Sequence, residues 1–339
     1  MFKTIFSKQF AVACALTLAC SVLGSLLAGL PCLAVLGALV ISLILGVVCQ
    51  AAKPAVAYAK PGIALISNKF LRAGIILLGF KLNLVALAQA GVKTIALACV
   101  VVTGTIFLAY NLARRFGVDR HLAILTASGT GICGAAAVMG IASQLPTSEK
   151  EAERHGEDKV VAVAIVAILG TLFTLVDIAV GPLLGMSATQ FGVMAGGSLH
   201  EIAHAVAAGG AGGSESLDIA IITKLSRVLL LAPAAIVIGV WYRKAEGVEA
   251  DGKGKVPIPW FMVGFVVASV IGTFAPLTQE MLDGLVKVSY LLLGMAMAAL
   301  GMTVNFRVLL TRGRNAFVAA LITSIVLLAF VAAMALLFF

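Results

Sequence analysis

Apolar residues run along this chain in stretches of about 20, the length that carries a helix across the hydrocarbon of a bilayer. About eleven such stretches can be placed, near residues 9–30, 32–50, 65–83, 94–113, 121–145, 160–184, 189–211, 218–241, 257–275, 285–305 and 315–338. Several are rich in glycine, which softens their ends and predicts broken or closely packed helices. The expected fold is therefore an all-α polytopic membrane protein of about 11 transmembrane helices. One integral membrane domain over 1–339 would hold first-half helices at 31–145, a charged external loop at 146–159 and second-half helices at 160–339.

Composition agrees with this pattern. Of 339 residues, 61% are hydrophobic and 12% charged, against about 25% charged in a soluble domain. The net charge of +9 does not point to nucleic acid. Lys and Arg occupy short connections between apolar runs, with no basic cluster interleaved with aromatic residues. Cys14, Cys20, Cys32, Cys49, Cys99 and Cys133 all fall in apolar segments without metal-site spacing, and read as small buried residues. The run after Lys8 resembles a signal peptide, but Thr17 and the apolar sequence that follows favour a membrane helix.

If every stretch crosses, the cations separate by side, as they do in membrane proteins with basic cytoplasmic loops. Lys53, Lys60, Arg114, Arg115, Arg120, Arg243, Lys244, Lys253 and Arg314 fall with the N-terminus; Lys81, Lys93, Lys150, Arg154 and Lys159 fall opposite. The N-terminus is then cytoplasmic, the C-terminus outside, and the acidic-rich connection Glu149–Lys159 external.

Two internal resemblances stand out. LGFKLNLVAL (78–87) matches LGMTVNFRVL (300–309) at Leu78, Gly79, Asn83 and Leu87 against Leu300, Gly301, Asn305 and Leu309. The helices before them correspond loosely, 36–48 with 262–274. An odd number of crossings separates the copies, so they run in opposite directions, the inverted-repeat architecture of many secondary transporters. The alternative is chance likeness among Leu/Gly/Ala-rich helices. SGTGICGAAAV (128–138) also lies on AGGSLHEIAHA (195–205), with Gly129 on Gly196 and Cys133 on His200. By the same count these two run in the same direction, which leaves them outside the inverted repeat.

The segments that could carry chemistry are few. Gly129, Thr130, Gly131, Cys133 and Gly134 form a small-residue cluster in an apolar stretch. Unwinding there would leave peptide groups free to line a cavity, and would aim a positive half-helix N-terminus at an anion. Close packing through small residues is the alternative. Gly196, Gly197 and Ser198 lead into His200-Glu201-Ile202-Ala203-His204, which spells HExxH. On one helix face His200 and His204 could hold zinc with Glu201 as general base, and Leu282-Asp283-Gly284 supplies an LDG triplet. Polar residues that hydrogen-bond to neighbouring helices are the other reading. Lys224 and Arg227 lie one turn apart. If deep, they face a cavity, a carboxylate or an anion; if near a helix end, they snorkel. Asp177 could pair with them, carry a proton, or lie near an interface ahead of Gly181-Pro182. No GxxxxGK[ST] motif occurs, which argues against ATP drive within the chain.

SGTGICGAAAV, GGSLHEIAHAVAAG, KLSRVLLLAPAAI, IPWFMVGF and LLGMAMAALGMTVNF together resemble the YeiH-type, or UPF0324, family of bacterial membrane proteins, often described as sulfate exporters. The likeness spans about Leu36 to Phe306. It implies a secondary transporter in the bacterial inner membrane, distantly similar to the cation:proton antiporter and anion transporter superfamily. No cofactor and no enzymatic activity are implied. The partners would be a small inorganic or organic anion, a coupled proton and the lipid bilayer, with a homodimer among the assemblies it allows. Gly129–Gly134 and Gly196–His204 would floor the site, Lys224 and Arg227 would attract the anion, and His200 or Glu201 would carry the proton. The family pattern has glutamine where His204 stands, so the HExxH string would arise from one substitution. An intramembrane zinc protease using HEIAH is the alternative function.

Overall fold

The computed structural model describes residues 7–30, 33, 37–89, 91–146, 151–245, 260–303 and 306–339, and every regular element among them is helical. Lys150, Lys253 and Asn305, which entered the charge and repeat arguments, lie outside the described residues. The helices are α1 (Lys8–Ala28), α2 (Gly37–Cys49), α3 (Lys53–Leu78), α4 (Leu84–Gln89), α5 (Gly91–Arg115), α6 (Arg120–Gly131), α7 (Ala135–Ala142) and α8 (Ala152–Leu183). They continue with α9 (Ala188–Ser198), α10 (Ile202–Ala211), α11 (Ser214–Leu229), α12 (Leu231–Ala245), α13 (Trp260–Phe274), α14 (Gln279–Gly301) and α15 (Phe306–Phe338).

Seven helical runs among the described residues are long and apolar enough to cross a bilayer: α1, α3 with its extension to Lys81, α5, α8, α11 with α12, α14 and α15 from Gly313. They coincide with seven of the eleven expected stretches, and the protein is an all-α polytopic membrane protein. The stretches at 32–50 and 257–275 become the shorter α2 and α13. The stretches at 121–145 and 189–211 do something else. The described chain divides into two compact units, Met1–Val85 with Gly264–Val304, and Ala86–Val263 with Asn305–Phe339. Each of the two sequence halves contributes to both units.

In the first unit, the matched glycines of the LGxxxN segments do equivalent work. Gly79 closes α3 against the Phe265 carbonyl of α13, and Gly301 closes α14 against the Leu43 carbonyl of α2; neither has room for a Cβ. Since α2 corresponds to α13 in the repeat, each copy docks on the other copy's partner helix. Polar stitches add to this packing. Ser289 Oγ donates to the Gly74 carbonyl at 2.7 Å, and Gln50 Nε2 donates to the Gly301 carbonyl at 2.8 Å, at the end of α14 where carbonyls lack helical partners.

The second unit holds two helical hairpins. α6 runs parallel to α8, with His121 beside Asp158 at one end and Gly129 against Val166 further in. At Ile132–Gly134 the chain reverses. Gly134 N donates back to the Gly129 carbonyl at 2.9 Å, and a Cβ on Gly129 would meet Val138 Cγ2 of α7 at 2.8 Å. A continuing helix would hold residues nine apart roughly 13 Å from each other, so α7 folds back along α6. α9 enters from the other end. It runs antiparallel to α8, pairing Gly181 with Phe191 and Asp177 with Ser198, reverses at Leu199–Glu201, and α10 returns so that Gly212 abuts Phe191. At 12 and 11 residues, α6 and α9 are each roughly 16–18 Å long, about half of a ~30 Å hydrocarbon core.

Three expectations are thereby corrected. The stretches at 121–145 and 189–211 do not cross; each enters and leaves at one end of the unit. The Glu151–Lys159 connection therefore lies at the same end as Arg115 and Arg120, not opposite them. Arg154 Nη2 stands 3.3 Å from Asp119 Oδ2, and Arg120 Nη1 donates to the Ala245 carbonyl at 2.9 Å. Arg114, Arg115, Arg120, Arg154, Lys159, Arg243 and Lys244 gather at this end, while Lys93, which donates to the Phe338 carbonyl, lies at the other. The cation asymmetry is sharper than full crossing allowed. Likewise, SGTGICGAAAV and AGGSLHEIAHA do not run in the same direction. They form the tips of hairpins that enter from opposite ends.

Candidate functional site

The two tips meet in the middle of the second unit, and α11 joins them. A helix ends with carbonyls that have no intrahelical partner. Here the ends of α6 and α9 converge, which places two sets of such carbonyls in a buried, low-dielectric setting. Arg227 supplies both. Its Nη1 donates to Gly197 O at 2.7 Å, Leu199 O at 2.9 Å and Gly196 O at 3.4 Å; its Nη2 donates to Gly131 O at 2.8 Å and Thr130 O at 3.2 Å. Lys224 Nζ adds a bond to Ile132 O at 3.0 Å and a short one to Leu199 O. Both cations are fully buried. Cations at helix C-termini complement the macrodipole; the Lys224 ammonium bridges the two tips through one carbonyl of each, and the planar guanidinium, with its fork of donors, reaches five carbonyls across both. Lys224 and Arg227 are therefore deep and do not snorkel. Their bonds go to peptide carbonyls, where the sequence left open a cavity, a carboxylate or an anion.

The opposite polarity gathers at the other side of the break. α7 and α10 begin here, and their first N–H groups lack helical acceptors. Glu201 is the residue that precedes α10, and its Oε1 accepts from the first amide of α7, Ala135 N, at 3.2 Å. One carboxylate thus stands at two half-helix N-termini. Its Oε2 is buried with no partner among the described residues. Gly134 makes this approach feasible. Its φ of +68° and ψ of −131° suit only glycine, and a Cβ there would overlap the Glu201 side chain.

The remaining expected residues divide between packing and chemistry. Gly129 and Gly131 admit Val166 and Ile106, and Gly196 and Gly197 admit Thr223 and Val331, so these four serve close packing. Thr130 Oγ1 turns back to the Thr126 carbonyl of its own helix at 2.9 Å. Cys133 is buried in the first tip. Ser198 Oγ lies 2.6 Å from Asp177 Oδ2 and 2.7 Å from the Met194 carbonyl. His200 occupies the second tip, with Nε2 3.0 Å from Ser324 Oγ of α15 and Nδ1 without a partner among the described residues. His204, one turn into α10, places Nε2 3.4 Å from Thr171 Oγ1 of α8, and Gly170 has no Cβ to obstruct its ring. Thus the HEIAH string straddles the break. His200 and His204 turn to different helices and not to a shared face, and Leu282-Asp283-Gly284 belongs to the other unit.

Ser324, Thr171 and Gly170 were not foreseen. Each is an ordinary small or hydroxyl residue in an apolar helix, and its place opposite a histidine depends on tertiary packing. A second buried cluster, His121, Asp158 and His155, marks the outer end of the first hairpin. The rings of His121 and His155 stack 3.7 Å apart, and His121 Nδ1 lies 3.0 Å from Asp158 Oδ2.

Comparison with known proteins places the chain. The family model described as conserved hypothetical protein 698 matches residues 13–320. A UPF0324 membrane protein of Lactobacillus johnsonii is 52% identical over the whole of both chains. One from Bifidobacterium longum is 50% identical over 96% of this chain and 94% of its own, and one from Bacillus cereus 45% identical over 92% and 90%. No solved structure matches. With that identity over full length, and with hairpin tips formed by the SGTGICG and GGSLHEIAH segments, the chain belongs to the UPF0324 family of membrane proteins.

Proposed function

We propose that the protein is a secondary transporter of a small anion, in which the two hairpin tips form the central site. The observation that carries this reading is the meeting of four half-helix ends at one buried point. Two C-termini are neutralised by Lys224 and Arg227, and two N-termini converge on Glu201. Secondary transporters build midplane sites from such interrupted helices, with N-termini aimed at anionic groups. Lys224 and Arg227 act here mainly through their field, since the ammonium and both terminal guanidinium nitrogens bond to backbone carbonyls, while Arg227 Nε is buried without a partner among the described residues. Two buried cations against one carboxylate favour a further negative charge.

Glu201 occupies the place that an anion would take. An anion and the carboxylate compete for the N–H groups at the starts of α7 and α10, so binding requires Glu201 to leave or to accept a proton. The second of these links anion binding to a proton. Ile132, Cys133, His200 and Glu201 are all buried, so this conformation is closed toward both ends, as one stage of alternating access requires. The basic end of the unit would face the cytoplasm, in the bacterial inner membrane. Sulfate is the first anion to assay, from the family resemblance.

The test is anion uptake by proteoliposomes with and without an imposed pH gradient. Labelled sulfate, or a competing small anion, should accumulate, and the gradient should change its rate. Glu201→Gln, which keeps the acceptor for Ala135 N, should remove the effect of the gradient. Absence of flux for any inorganic or organic anion tested would defeat the reading.

A further inference from the structure

Asp177 takes no part in the tip crossing, yet it is fully buried on α8, a helix otherwise lined there by Phe173, Thr174 and Gly181. Among the described residues, no Lys, Arg or His lies within ion-pair range of it and its Oδ1 has no partner. Its other oxygen, Oδ2, lies 2.6 Å from Ser198 Oγ, and that hydroxyl also lies 2.7 Å from the Met194 carbonyl. A serine hydroxyl has one hydrogen and two lone pairs. Were Asp177 ionised, that single hydrogen would face two acceptors at short range and fully satisfy only one. With a proton on Oδ2, both contacts become good bonds: the carboxylic acid donates to Ser198 Oγ, and Ser198 Oγ donates to the Met194 carbonyl.

We infer that Asp177 is a proton-binding site, loaded in this conformation, and that its proton fastens α8 to the last residue of α9 before the second tip. Loss of that proton forces Ser198 to turn its hydrogen from Met194 to Asp177, which removes the side-chain bond to the Met194 carbonyl in the last turn of α9. The residue lies on the side from which the second hairpin enters, about two turns of α8 from Thr171 and Gly170, where His204 packs. The titratable and charged groups on elements packed against this region are His200, Glu201 and His204 of the second hairpin, and Glu215, Asp218, Lys224 and Arg227 of α11, the last two bonded to the Leu199 and Gly197 carbonyls on either side of Ser198; Arg120 and His121 of α6 lie at the far end of α8. α9 and the stretch of α15 beside it, from Ala316 onward, carry none.

The first arm of the test does not depend on transport. Infrared spectra of the purified protein with isotope-labelled aspartate should show the carbonyl stretch of a protonated carboxylic acid at neutral pH. Asp177→Asn should remove it while leaving the thermal unfolding midpoint near that of the native protein, because the amide can donate to Ser198 as the acid does. Ser198→Ala should keep the band and shift it, since the acid loses its acceptor. Absence of the band in the native protein, or its persistence unchanged in Asp177→Asn, would overturn the assignment. The second arm rests on the transport reading: in proteoliposomes Asp177→Asn should keep anion-for-anion exchange and lose acceleration by a pH gradient. An unchanged response to the gradient would show that the proton at Asp177 does not couple to flux, and would overturn the fastening role.

Discussion

The two hairpin tips are alike in backbone and unlike in chemistry. Ile132-Cys133-Gly134 and Leu199-His200-Glu201 interrupt helices of similar length, and Arg227 and Lys224 hold the carbonyls that precede both. At the positions that match, however, the first tip has Cys133 and Gly134 and the second has His200 and Glu201. The first gains a sharp turn and an amide; the second gains an imidazole and a carboxylate that reaches across to that amide. A duplicated scaffold has thus been divided into a receiving tip and a titrating tip. The separation follows from sterics, because Glu201 can approach only where its counterpart has no side chain.

Substitutions can test this division, starting where the tips share a support. Arg227→Met should be the most damaging. It leaves several buried carbonyls unpaired at about 1–3 kcal/mol each, so a loss of more than about 3 kcal/mol and faster amide exchange in both hairpins are expected. Exchange confined to one hairpin would mean that Arg227 does not join them. Gly134→Ala should act on one side of the pair. The backbone strain alone is about 1–3 kcal/mol, with the overlap against Glu201 added, and thermal unfolding in detergent should fall while α9 and α10 keep their exchange protection.

Glu201→Gln should separate stability from function. The amide oxygen still accepts from Ala135 N, so the unfolding midpoint should change little, while proton-driven anion flux should fall about tenfold, equivalent to about 1.4 kcal/mol. A variant with full coupling would remove the titrating role from the second tip. His204→Gln should do least, about 1 kcal/mol, because the buried His204 makes only a long 3.4 Å contact to Thr171 and its Nδ1 has no partner among the described residues. A large loss there would restore weight to the HExxH string.

Much of this was readable in the residues, and the exceptions have a common cause. Apolar length located the membrane helices, and the Gly and Ser clusters located both breaks, at the positions where the two segments align. Hydropathy could not tell a crossing helix from a hairpin of two half-length helices. Residues 121–145 are as apolar and as long as a span, and the reversal turns on the left-handed backbone of Gly134 within an otherwise ordinary small-residue cluster. That ambiguity also moved Arg154 and Lys159 to the wrong side and made the tips look co-directional. The depth of Lys224 and Arg227 was legible as an option, but their carbonyl partners belong to segments 25 to 97 residues away. Asp177 was a three-way choice until Ser198 and Met194 were seen around it.

The central claim is that the hairpins enter from opposite sides and meet. Single cysteines placed in a background without native cysteines, at Arg115, Glu153, Lys244 and Glu215, can be probed in sealed vesicles with a membrane-impermeant thiol reagent. Cysteines at 115, 153 and 244 should react from one side and the cysteine at 215 from the other. Reaction of 115 and 153 from opposite sides would mean that residues 120–145 cross the membrane, and the meeting of the tips would be contradicted.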